Sequence, residues 1–220
     1  MDIQKYSEIS EEAKRFGAKL IAVSKTKPVE DILELYHAGQ KYFGENKVQE
    51  MVNKYEALPK DIEWHLIGHL QTNKVKYIAS FVSCIHAVDS LRLLEEIDKQ
   101  AAKNSRVIDC LLQVHIAEEE TKFGFDANQL FDLPESNEFA SLSHIRICGL
   151  MGMATNTADE RKIESEFQAL KQLFDKLKKE KFAENNAFRD LSMGMSSDYK
   201  IALRNGSTLI RVGSVIFGER

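Results

Sequence analysis

Apolar and polar residues alternate along this chain in two recurring registers. Short runs rich in β-branched and aromatic residues mark strands, and longer stretches with an apolar position every three or four residues mark amphipathic helices. The strand-like runs are Leu20–Ser24, Tyr42–Phe43, Glu63–Ile67, Ser83–Ala87, Val107–Ile116, Ile145–Met151, Phe188–Leu191 and Thr208–Val212. Helical patterns follow most of them, over Val29–Ala38, Lys47–Ala57, Thr72–Ser80, Leu91–Ala102, Asn128–Leu133, Glu160–Lys179 and Asp198–Asn205, and a leading helix over about Ile3 to Phe16 precedes the first strand. Eight such strand–helix units in 220 residues predict an α/β fold, a single (β/α)8 TIM barrel over residues 1–220 with an extra N-terminal helix. A doubly wound open sheet is the alternative that the same alternation allows. No Pro/Gly/Ser-rich linker or internal repeat divides the chain.

In a barrel, chemistry gathers where strands end and βα loops begin. The first strand runs into Ser24-Lys25-Thr26-Lys27-Pro28. Alternation puts Ile21, Val23 and Lys25 on one face, so the sequence predicts an amine in apolar surroundings, with Lys27 nominally on the same side. Lost hydration and a neighbouring cation favour the neutral amine, a nucleophile toward aldehydes. A lysine that snorkels out of the strand end or pairs with a carboxylate is the alternative.

Other polar groups converge on the same edge. Gly44-Glu45-Asn46 ends the second strand, His65 with Gly68 the third, Met151-Gly152-Met153 the sixth, Ser192-Met193-Gly194-Met195-Ser196 the seventh, and Arg211 with Gly213-Ser214 the eighth. The last two turns, small and hydroxyl-bearing at helix starts, suit a phosphate, and barrels often hold one after strands seven and eight. Alternatively Ser196 is only a helix cap and Gly213 only a turn glycine. Arg211, inside an apolar run, fits a phosphate clamp, a structural ion pair, or a donor to a pyridine nitrogen. His65 is a pocket wall or a satisfied core histidine, and Asn46 orients a ligand hydroxyl or caps the second helix. The His65/His69 spacing does not describe a metal site, because Gly68 and the strand-like Trp64–Ile67 break the helical geometry it needs.

Charge and cysteine usage narrow the partners. Thirty Lys+Arg against 34 Asp+Glu give a net charge of −4 with no long basic run, so nucleic acid is not an expected partner. Cys84, Cys110 and Cys148 each sit in apolar runs with no C-x-x-C spacing and read as small buried hydrophobes. The N-terminus lacks a signal-peptide core and no stretch approaches ~18 apolar residues, so the expectation is a cytoplasmic protein without a membrane partner.

Five blocks, taken in order, resemble the pyridoxal 5′-phosphate (PLP) homeostasis protein family, single-domain relatives of the alanine racemase N-terminal barrel. They are Ala22–Pro28, Phe43–Glu50, Glu63–Lys74, Leu191–Ser196 and Ile210–Gly218, and the resemblance runs from about residue 18 to the C-terminus. It implies a fold-type III PLP barrel with the cofactor carried as an aldimine on Lys25. It also implies that Ser192, Ser196, Gly213 and Ser214 surround the phosphate, that Arg211 faces the pyridine nitrogen, and that Asn46 and His65 line the ring. Ser214 stands where the family frequently has threonine. The loop Ala117–Phe125, with Glu118-Glu119-Glu120, is more acidic than usual, which leaves open any family role for Lys122.

Racemisation needs two bases, and fold-III racemases take the second, a tyrosine, from a C-terminal domain for which a chain ending at Arg220 has no room. The implied function is therefore a monomeric, non-enzymatic carrier that holds PLP reversibly, keeps intracellular PLP in balance and passes it to PLP-dependent apo-enzymes. A PLP-dependent, racemase-like amino-acid enzyme with a base from another chain is the alternative. A cofactor-free phosphosugar-type barrel enzyme is a remote third reading.

Overall fold

The computed structural model describes residues 1–116 and 124–218. The chain opens with helix α1 (Ile3–Arg15) and then alternates: β1 (Lys19–Val23), α2 (Val29–His37), β2 (Tyr42–Glu45), α3 (Val48–Ala57), β3 (Glu63–Leu66), β4 (Cys84–Val88) and α4 (Leu91–Lys103). It continues through β5 (Ile108–Gln113), α5 (Ala127–Asp132), α6 (Asn137–Ala140), β6 (Ile145–Met151), α7 (Glu160–Glu180), β7 (Asp190–Ser192), α8 (Tyr199–Arg204), β8 (Leu209–Val212) and α9 (Ser214–Phe217). Each strand pairs parallel with the next, and β8 pairs back onto β1 from Lys19↔Leu209 to Ala22↔Val212. Closure of the barrel excludes the open-sheet alternative. Among the described residues, no helix is long and apolar enough to cross a membrane.

Strand alternation builds two apolar cores. On β1, Leu20 and Ala22 face the helices and join Ile32, Leu35, Phe43, Trp64 and Leu66 in the layer between sheet and helices. Ile21 faces the lumen with Cys84, Ala87, Leu111, Cys148, Met151 and Leu209. All three cysteines are buried and free, as their apolar settings lead one to expect.

The leading helix closes the seam. After β8 the described residues form the four-residue helix α9, and α1 packs beside it. α1 buries Tyr6, Ile9 and Ala13, and Asp2 caps it by accepting the Lys5 N–H at 2.9 Å. The Asp2 N–H donates to Ile216 O in α9 at 2.8 Å, and the Tyr199 hydroxyl of α8 donates to Glu12 at 3.2 Å.

Three elements differ from expectation. The helix expected over Thr72–Ser80 is a 3-10 turn over Thr72–Tyr77, whose following carbonyls, Ala79 O and Val82 O, accept from Arg106 at 2.7 and 2.9 Å. The seventh strand starts at Asp190 rather than Phe188, because Phe188 is stacked outside the barrel between Phe174 and Phe182, 5.0 and 4.4 Å away. The fifth ends at Gln113, after which Val114 bridges to Phe125. Ala117 to Phe123, including Glu118-Glu119-Glu120 and Lys122, lie outside the described residues.

Candidate cofactor-binding site

Lys25 lies two residues past the end of β1, half-buried, so the expectation of a lysine inside the apolar strand face is corrected. The ladder stops at Val23, and a tight turn follows in which the Lys27 N–H donates to Ser24 O at 3.0 Å and Thr26 adopts φ of 64°, a left-handed conformation costly for a β-branched residue. A buried cluster of charges holds that turn from behind. Lys54 of α3 donates to Ser24 O at 2.7 Å, to Glu45 Oε1 at 2.8 Å and to Glu50 Oε1 at 2.7 Å. Ser24 Oγ donates to Glu45 Oε1 at 2.6 Å, and the Thr26 N–H donates to Glu50 Oε1 at 2.5 Å. Burial, outweighing the attraction of Lys54, pushes the Glu45 carboxyl above its ordinary range. Glu50, despite partial burial, is held below that range by Lys54 and the Thr26 N–H. Among the described residues Lys25 itself makes no hydrogen bond or ion pair. Lys27 is engaged elsewhere, donating to Phe217 O at 3.1 Å and Gly218 O at 2.9 Å.

Arg211 enters the lumen from β8, 4% exposed. Its guanidinium donates to Ser192 Oγ at 2.6 Å and to Gly152 O at 3.1 Å, and among the described residues no carboxylate stands within ion-pair distance. Burial pulls its pKa down to about 10, with Asp198 acting the other way. A buried guanidinium held only by neutral acceptors bears a desolvation cost that a structural ion pair would offset. Ser192 Oγ also lies 2.9 Å from His86 Nδ1, and His86 Nε2 lies 2.8 Å from His65 Nδ1. His65 is thus in the barrel interior, its pKa down to about 3 through burial and then the charge of Lys19, and burial takes His86 well below its ordinary value too.

The turns after β7 and β8 meet. The Gly213 N–H donates to Ser196 Oγ at 3.2 Å. A side chain at Gly213 would put a Cβ 2.8 Å from Val23 O, so glycine lets the end of β8 lie against the end of β1, next to the Lys25 turn. Ser214 begins α9, whose first N–H groups have no partner within the helix. Ser196 does not cap α8, whose N-cap is Asp198; Asp198 instead accepts the Met195 N–H at 2.5 Å and braces the loop. Asn46 does not cap α3 either, since Lys47 holds that position. It is half-buried beside Gly68, where a Cβ would sit 2.5 Å from Asn46 O.

The sequence reading missed His86, Asp198 and the Glu45–Lys54–Glu50 cluster. A lone histidine in inward phase with Cys84 was the available signal for His86, and the i, i+4 spacing of Glu50 and Lys54 was the signal for the cluster. His65, Cys84 and His86 also bring ligand atoms within 4.8 Å of one another. Two nitrogens on one tetrahedral ion at ~2.0–2.1 Å stand roughly 3.3 Å apart, so the 2.8 Å approach of the imidazoles is the distance of a direct hydrogen bond.

Residues 3–220 match the family model described as alanine racemase, N-terminal domain. A pyridoxal phosphate homeostasis protein from Aquifex aeolicus is 44% identical over 204 residues, 92% of this chain and 87% of its own length. The chain belongs to the pyridoxal phosphate homeostasis protein family. Among solved structures, PipY from Synechococcus elongatus without PLP is similar with a TM-score of 0.90 at 33% identity, covering 99% of this chain and 100% of its own. PipY with PLP bound gives 0.82 at 36% identity, over 92% and 93%.

Proposed function

We propose that this protein binds PLP through a Schiff base on Lys25 Nζ and serves as a carrier that maintains the intracellular supply of the cofactor, with no substantial turnover of its own. The observation that carries the proposal is an amine and a buried guanidinium that have no carboxylate partner among the described residues, together with a glycine–hydroxyl turn, all on the C-terminal edge of one barrel. These three fit an aldehyde, a pyridine ring and a phosphate, and PLP is the ligand of the similar PipY structure. In this assignment Ser196, Gly213 and Ser214 hold the phosphate and Arg211 donates to the ring nitrogen. Ser192, expected at the phosphate, is fully buried with its hydroxyl against Arg211 and His86, so here it steadies Arg211 instead, while Asn46 and His65 complete the surroundings of the ring. When bound, PLP supplies an aldehyde that exchanges between amines, and an arginine at its ring nitrogen keeps the ring a weak electron sink.

A racemase reading calls for a second base, a tyrosine, opposite Lys25. The six tyrosines are placed otherwise. Tyr6 is buried in α1, Tyr36 donates to Asp61, Tyr42 lies under Lys19, Tyr55 stacks on Phe81, Tyr77 lies under Lys74 and Lys76, and Tyr199 donates to Glu12. We further propose that the protein acts in the cytoplasm as a monomer that delivers PLP to apo-enzymes.

Reconstitution with PLP tests this directly. The protein is expected to turn yellow, borohydride to fix the cofactor, and mass spectrometry to find it on Lys25, with K25A colourless. Adduct on Lys27 instead, or steady turnover of D- or L-alanine followed by optical rotation, would overturn the assignment.

A further inference from the structure

Arg211, Ser192, His86 and His65 form one line across the lumen, contributed by β8, β7, β4 and β3. His86, which lies between Ser192 and His65, has no part in the cofactor assignment above. The order of hydrogens along this line follows from what each group can do. A guanidinium only donates, so Ser192 Oγ accepts from Arg211 and has one hydrogen left to give. The polar atom in reach is His86 Nδ1, at 2.9 Å. Accepting there leaves His86 Nδ1 bare and its proton on Nε2, from which it donates to a bare His65 Nδ1 at 2.8 Å. The reverse order would bury the Ser192 hydroxyl hydrogen with no acceptor. A proton added to either ring would put a second cation into a desolvated line that already carries Arg211, and Lys19 acts on His65 in the same sense.

We propose that His86, backed by His65, is a positioning residue: by taking the Ser192 hydrogen it fixes Ser192 as an acceptor and so holds the Arg211 guanidinium in the single orientation that presents its remaining N–H groups to the ring nitrogen. Without His86, Ser192 is free to rotate and Arg211 keeps only the Gly152 carbonyl as a fixed anchor. The inference rests on the reading that PLP lies against Arg211, yet the proton order belongs to the cofactor-free protein and is measurable there.

Nitrogen-15 NMR of histidine-labelled, cofactor-free protein is the first test. Both rings are expected to be neutral between about pH 8 and 6, with the proton of His86 on Nε2 and Nδ1 of His65 bare. A proton on His86 Nδ1 overturns the proposal. The second test uses H86L, which offers Ser192 no acceptor, and H86N, whose amide oxygen stands where Nδ1 was. On PLP-loaded protein, H86L is expected to release PLP about tenfold faster than wild type and to show a shifted visible band, with H86N close to wild type in both. An H86L protein that matches wild type in release rate and spectrum overturns the proposal, and if H86L does not fold the NMR result decides. Failure of the wild-type protein to take up PLP counts against the function reading, while the NMR still judges the proton order.

Discussion

Ser24 and Thr26, the residues on either side of Lys25, are tied to the same ammonium, one through a carbonyl bonded to Lys54 and the other through a carboxylate that Lys54 shares. The left-handed Thr26 costs about 1–3 kcal/mol and persists because Glu50 accepts its N–H. Lys54→Met would leave Glu45, fully buried, and Glu50 facing one another with no counter-charge. The expected loss is about 3–5 kcal/mol in urea unfolding at neutral pH, together with weaker retention of PLP by the fraction that folds. A loss below about 1 kcal/mol would show that the cluster does not support the turn. The run before Lys25 and the Ser24–Pro28 motif are legible in the sequence. The half-exposed seat of the lysine is not, because the conformation of Thr26 is set by Glu50, 24 residues further on.

At the scale of elements, β7 is the weakest part of the barrel and carries Ser192. It has three residues, paired with β6 from Gly149↔Asp190 to Met151↔Ser192 and with β8 only at Ser192↔Leu209. Gly149 makes this pairing possible, since its φ is 149° and a Cβ there would sit 1.8 Å from Asp190 O. Gly149→Ala is therefore expected to separate β6 from β7 and cost about 3 kcal/mol or more in thermal or urea unfolding. Gly17→Ala, also at positive φ but with nothing within 4 Å, isolates the backbone strain and should cost about 1 kcal/mol. Equal losses in the two variants would mean that the close contact with Asp190 is unimportant. Most of the strands and long helices are legible because each carries its own period: Ile145–Met151 and Glu160–Glu180 need nothing beyond local pattern. The start of β7 is not, since Phe188 has the composition of a strand and the position of a stacked ring against α7. Nor is the 3-10 turn after β3, whose carbonyls depend on Arg106 beyond α4.

For the molecule as a whole, the lumen line makes stability depend on pH. His65 and His86 titrate in the unfolded chain near the ordinary value of 6.5, while in the folded barrel burial holds His65 down to about 3 and His86 well below 6.5. As pH falls below 6.5 the unfolded chain binds protons that the folded one refuses, so stability is lost toward acid at about 1.4 kcal/mol per pH unit for each ring. Glu45, Asp190 and Asp198 work in the other direction, because burial raises all three carboxyls and the folded state then holds their protons more tightly than the unfolded chain. Between pH 6.5 and 5 the histidines alone amount to about 3 kcal/mol for the two rings, from which the carboxyls subtract. Urea unfolding of wild type and of an H65N/H86N double variant across this range separates the contributions, since the carboxyls are common to both. The wild-type curve is expected to fall more steeply toward acid than that of the double variant by about 2–3 kcal/mol per pH unit. Parallel curves would mean that the imidazoles take up protons in the folded barrel, and that the line from Arg211 to His65 is not closed to charge.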